Sequence, residues 1–316
     1  MRKILSLLLL LTLFIHIHAQ TYQEQWRDIK KLERQNLPKS TLEKVNIIYQ
    51  KALQEQNDNQ LIKAILHREK YQIELEEDGY IKSIKNIENE LKKSHAITTK
   101  LILKSLLAQM FADYLDTNRF KIEQRSKIAD DNSSDIFTWG IDKLAKTSSQ
   151  LYLDSLGNEA QDVPIENYQM LLHKGENSEG LRPTLYDFLA FRALKHFNNE
   201  RYYLTKPINS FQINQSEAFG KVSTFIQHKF QSQDKHSFKY QALLIYQKLL
   251  KFHWKRKDTK ALYHIDFERL EFVYKHYTGI SKDKLYLKTL KYLQTKYIHS
   301  EAIYRLAQYY NNKEEP

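Results

Sequence analysis

The sequence predicts an all-α fold: a helical-hairpin array of the tetratricopeptide-like or irregular α-solenoid kind, behind an N-terminal signal peptide. Three observations predict it. Glycine and proline number only 7 and 5 in 316 residues, too few for the tight turns of a sheet-rich chain. Apolar residues recur at helical spacing through most of the sequence, separated by short polar breaks. Hydrophobic residues make up 41% and charged residues 28%, a globular balance rather than a disordered one.

The elements follow in order. Arg2 and Lys3 precede an apolar run, Ile4 to Ile15, and Ile17-His18-Ala19 resembles a cleavage site. Residues 1–19 therefore read as a secretory signal peptide, with Gln20 as the new N-terminus. The run is too short to span a bilayer, and no later segment is long enough. The expectation is an exported protein of the periplasm or outer-membrane-associated cell envelope, with no transmembrane helix once the signal is removed. Removal takes the net charge from +11 to +9 by deleting Arg2 and Lys3.

Residues 20–160 read as an N-terminal helical region. Trp26, Ile29 and Leu32 form a first stripe, broken at "NLPKS". Ser40, with Glu43 three residues on, suggests a capping box for the next helix, whose stripe is Leu42, Val45, Tyr49, Ala52 and Leu53. Breaks at "QNDN" and "EEDGY" delimit a third helix, 61–75, and open a fourth through Ile81, Ile84, Ile87 and Leu91. A greasier fifth covers 97–115. After the polar loop "ADDNSSD", Ser134 or Asp135 caps a helix carrying Trp139, Leu144 and Leu151.

Residues 161–215 read as an irregular segment with one buried helix, 184–198. In "LRPTLYDFLAFRALKHF" Thr184 is an N-cap with Asp187 at the third helical position. Leu185, Phe188, Leu189, Ala193 and Phe197 face one way, while Tyr186, Ala190, Phe191 and Leu194 cover much of the rest. A helix apolar almost all round is buried among neighbours. Trp26, Leu185, Phe188, Leu189 and Phe197 are thus the structural core candidates. Residues 216–316 read as a helical-repeat-like region, with helices at 216–230, 238–254, 259–277, 282–297 and 300–311 and no clean 34-residue repeat.

Chemical signatures are sparse. There is no cysteine, so disulfides, thiol nucleophiles and internal thioesters are excluded within this chain. No HExxH, phosphate loop, GxSxG or dinucleotide fingerprint occurs. His228, His236 and His253 do not assemble into a ligand set, so no metal and no cofactor is expected. "ELEED" reads as a solvated helix end. From Tyr240 onward the chain holds 15 Lys and Arg against 8 Asp and Glu. Within that third, "KFHWKRK" sets Trp254 among Lys251, Lys255, Arg256 and Lys257. Such a run binds polyanions such as an anionic envelope surface or is an ordinary solvated face. No nucleic-acid partner is expected of an exported chain.

Three stretches resemble a known family: "LPKSTLEKVNIIYQKALQEQNDNQLIKAILHREKYQ" at 37–72, the Trp139–Leu156 helix with "YLDSL", and "LRPTLYDFLAFRAL" from 181. They are similar to the N-terminal helical region of large alpha-2-macroglobulin-like proteins of Gram-negative bacteria. That resemblance implies a helical region ahead of macroglobulin β-sandwich domains in a protease-trapping protein. The bait region and the Cys–Gln thioester of the family have no counterpart in this chain, and no catalytic residue carries over. The function implied is a non-catalytic structural or interaction module, whose partner is a protein or the remainder of a larger macroglobulin-like chain. The alternative is a free-standing periplasmic tetratricopeptide-like adaptor that binds a peptide or protein.

Overall fold

The computed structural model describes residues 20–93, 96–125, 133–173, 175–199, 207–297 and 300–314. The signal-peptide reading of residues 1–19 lies outside them. The fold is all-helical, and among the described residues there is no strand, only two isolated bridges. None of the described helices is long and apolar enough to cross a membrane. The chain divides into two compact units between Ser83 and Ile84.

The first unit comprises α1 (Tyr22–Arg34), α2 (Pro38–Gln54), α3 (Asp58–Leu75) and the start of α4 (Gly79–Lys92). Thr21 and Glu24 form a capping box at the start of α1. Ser40 forms none. Proline at the first helical position has no N–H to satisfy and a preset φ, so α2 starts at Pro38 with Leu37 as its N-cap. Ser40 is thereby carried inside the helix. The buried stripe of α2 is Thr41, Val45, Ile48, Tyr49 and Ala52, rotated from the expected one, with Leu42 and Leu53 half-buried. Asn36 and Gln56 take left-handed φ of 55° and 52° in the two tight turns, which shows how a glycine-poor chain still closes helical hairpins. Gly79 is different: a Cβ there would meet the Gln72 carbonyl oxygen at 2.2 Å.

The second unit runs from Ile84. Its long α5 (Ile97–Arg125) extends ten residues past the expected end at Leu115, because no Gly or Pro interrupts it. Asp135 caps a 3₁₀ turn, Ile136–Thr138, rather than the helix itself. The helix α6 (Ile141–Asp154) starts after Gly140, so Trp139 precedes it and stacks on Phe111 of α5 with centroids 5.6 Å apart. Ala108 and Ser148 lie fully buried between α5 and α6, where Ser148 Oγ donates to the Ala108 carbonyl at 2.7 Å.

Two 3₁₀ segments, Asn158–Ala160 and Ile165–Leu171, lead to α7 (Leu185–Phe197). The Leu185 N–H donates to the Val163 carbonyl and the Ile165 N–H to that of Pro183, fixing the entry of α7. After Phe197 come a 3₁₀ turn, Ser216–Phe219, and α8 (Val222–Gln227), then α9 (Phe238–Arg256), α10 (Thr259–His276), α11 (Lys282–Tyr297) and α12 (Ser300–Glu314). The expected helix 216–230 is thus two short pieces with Gly220 extended between them. From α9 to α12 each helix packs on the next.

Candidate functional site

The helix α7 is central to the second unit. It packs against α5, α6 and α9. Leu185, Tyr186, Leu189, Ala190, Ala193, Leu194 and Phe197 are buried, and so are Asp187 and His196. Of the five core candidates, Leu185, Leu189 and Phe197 lie in this interior. Phe188 is half-buried and faces the Arg192 guanidinium. Trp26, in the first unit, is half-buried: its Nε1–H donates to Gln60 Oε1 at 2.7 Å, and Lys63 Nζ sits 4.2 Å from its ring centroid.

The polar groups of α7 form a connected network. Asp187 Oδ2 accepts from the Thr184 N–H at 3.0 Å and the Thr184 hydroxyl at 2.8 Å, completing a capping box. The other oxygen, Oδ1, lies 2.7 Å from Nε2 of His253 on α9. His253 Nδ1 in turn lies 3.1 Å from Asp258 Oδ2, at the α9–α10 turn. Arg256 extends the chain, with Nε 3.2 Å from Asp258 and Nη1 2.9 Å from Asp162. Asp187 and His253 are fully buried.

The His253 ring thus has a carboxylate oxygen within hydrogen-bond distance of each nitrogen. Asp187 also holds the Thr184 cap, and His253 has no solvent-exposed surface. The arrangement therefore ties three chain segments together: the entry to α7, the last turn of α9, and the turn into α10.

A second buried pair does similar work in the same unit. Asp266 and Arg269 on α10 are 1% and 0% exposed, with Arg269 Nη2 2.6 Å from Asp266 Oδ1. Arg269 Nη1 donates to the carbonyls of Ala218 and Gly220 at 2.6 and 3.0 Å. An irregular turn buried against helices needs donors for its carbonyls, and Arg269 supplies them. Burial pushes the Asp266 carboxyl above its ordinary value, with Arg269 opposing the rise.

His196 is a further buried ionisable residue of α7. It packs on Tyr152, Phe197 and Phe238 rings at centroid distances of 4.8 to 5.1 Å, and Nε2 sits 2.9 Å from Ser149 Oγ. Burial among these rings pushes its imidazole down to about 3. Ser149 is on the wall of a groove of about 340 Å³, with Phe197 and Phe238 also lining it and Lys146 and Lys235 beside them.

The "KFHWKRK" stretch is the end of α9. Lys251, Trp254 and Lys255 share one face at helical spacing, and Trp254 is 41% exposed. Arg256 is diverted into the ion pairs with Asp162 and Asp258. Lys257 adopts a left-handed φ of 59° and caps the helix. Basic residues in a last turn also complement the helix dipole. His253, in the middle of this run, belongs to the interior instead. The sequence reading set it aside as a lone imidazole outside any ligand set, although the apolar residues on both sides of it ("LLKFHW") were a signal of burial. Asp266 and Arg269, three residues apart in "ALYHIDFERLEF", carry the same signal and were passed over. The acidic residues of "ELEED" are exposed.

Among the described residues, no group of three or more His, Asp or Glu could hold a metal ion. No protein-family model, curated protein or solved structure matches the chain.

Proposed function

We propose that this chain is a non-catalytic structural and interaction module of an exported envelope protein, built like the N-terminal helical region of alpha-2-macroglobulin-like proteins, with its helical hairpins in a tetratricopeptide-like array. One observation supports this most. The stretch from Leu181 that carries the family likeness becomes α7, and its polar side chains are spent on helix junctions: Asp187 on His253 and Thr184, and Arg192 on Ser105 Oγ at 2.8 Å. The helix-by-helix packing from α9 to α12 supports the array.

The test is the native size of the protein in a cell-envelope fraction, by immunoblot against residues 20–316. A band several times heavier than 37.8 kDa is the expected result. A band at that mass would overturn the module-of-a-larger-protein reading.

The groove beside Ser149 favours a second reading, a free-standing adaptor. Its Phe197 and Phe238 lining, with Lys146 and Lys235 set against Asp142 and Asp234, suits a short peptide with an apolar anchor and a polar flank. Saturable peptide binding, lost in Lys235→Glu, would support it.

A further inference from the structure

The second unit carries a continuous basic and aromatic strip that extends beyond the end of α9. Lys296 Nζ, from α11, lies 5.6 Å from the Trp254 ring centroid and 5.5 Å from that of Tyr292. Lys221 Nζ lies 4.9 Å from the same Tyr292 ring. Tyr292, Lys221 and Lys288 then line a cleft of about 390 Å³ between the Ser216–Phe219 turn and α11. Lys288, Tyr292 and Lys296 recur every four residues, so they run along one face of α11 for about 12 Å. Lys251 and Lys255 continue the strip past Trp254.

The charge of this strip is largely uncompensated. Lys221, Lys251, Lys255 and Lys288 are exposed and have no carboxylate partner among the described residues. Glu217 also lines the cleft, Asp258 at the end of α9 is held by His253 and Arg256, and buried Asp266, which feels Lys296, is paired with Arg269. Four exposed ammonium groups, Lys221, Lys251, Lys255 and Lys288, beside two partly open rings suit an anionic partner that also offers apolar contact.

We propose that this strip binds a linear acidic polysaccharide. Its carboxylates would pair with Lys221, Lys288, Lys296 and Lys255, and the C–H faces of its sugars would pack on Trp254 and Tyr292. The concave cleft suits a chain rather than a flat lipid surface. An acidic peptide would satisfy the lysines but offers no regular partner for the rings.

Isothermal titration of the purified chain with a polyuronate oligomer tests this. Neutral dextran, polyglutamate, oligothymidylate and anionic phospholipid vesicles serve as comparators. The expected result is saturable polyuronate binding that weakens as salt rises. It should fall at least about tenfold in Trp254→Ala and in Lys221→Glu/Lys288→Glu, and stay unchanged in Lys146→Glu, at the other groove. All these positions are exposed, and an unchanged melting curve shows that each variant is folded. Absence of polyuronate binding would overturn the proposal. So would equal loss in Lys146→Glu, or tighter binding of polyglutamate, oligothymidylate or vesicles.

Discussion

His253 Nε2 lies 2.7 Å from Asp187 Oδ1, and both side chains are fully buried. One residue sits at the third position of α7 and the other in the last turn of α9, 66 positions later. A buried carboxylate without a partner would cost several kcal/mol. Here the carboxylate receives two bonds from its own helix cap and makes a third contact with the imidazole. The cap therefore depends on the tertiary contact, and the tertiary contact on the cap. Asp187 is at once a local signal and a long-range one.

Core truncations along α7 should not be equal. Leu185→Ala should cost about 2–5 kcal/mol, because it leaves a cavity among fixed neighbours. Phe188→Ala, at a half-buried position, should cost distinctly less. Urea denaturation followed by circular dichroism measures both, and equal losses would contradict the burial pattern.

Lys257 holds a left-handed conformation that costs an L side chain about 1 kcal/mol. Lys257→Gly should stabilise the chain by up to about 1 kcal/mol. A clear drop in melting temperature would mean that the lysine side chain matters more than its backbone.

Gly79 stands where a Cβ would press on the Gln72 carbonyl. Gly79→Ala should therefore destabilise the α3–α4 turn by more than the usual helical gain from alanine, a net loss of about 1–3 kcal/mol. Local hydrogen exchange of the amides around Asp78 reports it directly.

The His196 imidazole is held at about 3, below its ordinary value near 6.5, by burial among the rings of Tyr152, Phe197 and Phe238. The unfolded chain therefore takes up this proton first. Stability from this site is complete above pH 6.5 and falls as pH drops from there toward 3. Between pH 6.5 and pH 5 the wild type should lose about 2 kcal/mol that His196→Gln does not lose. Parallel urea titrations at the two pH values give the difference, and identical slopes would contradict the burial assignment.

Helix positions were legible in the sequence wherever apolar spacing and a breaker coincided. "LRPTLYDF" shows this: Thr184, Asp187 and the apolar surround of α7 are all local, and the structure has the capping box and the burial there. Ser40 shows the limit. Its capping pattern was outcompeted by Pro38 two residues earlier, because a proline that fits the first turn starts the helix for itself. Trp139 shows another limit, since a 3₁₀ turn capped by Asp135 absorbed the residues expected in α6.

The polar sites were less legible because their partners are far apart in the chain. Nothing local to Asp187 points to His253, and nothing local to Arg269 points to the carbonyls of Ala218 and Gly220. The basic strip was half visible. Lys251, Trp254 and Lys255 are neighbours in sequence, but Lys221, Lys288, Tyr292 and Lys296 join them only through packing of α11. Arg256 and Lys257 looked equivalent to the others and are occupied by ion pairs and a helix cap.

The central claim is that the buried polar groups of α7 hold helices together. A double-mutant cycle on Asp187→Ala and His253→Ala, read by equilibrium urea denaturation, tests it most directly. Each single variant should lose about 3–5 kcal/mol, and the double variant clearly less than their sum, a coupling of about 1–3 kcal/mol. Near-native stability of His253→Ala, or strictly additive losses, would contradict the claim and leave the pair free for a role other than support.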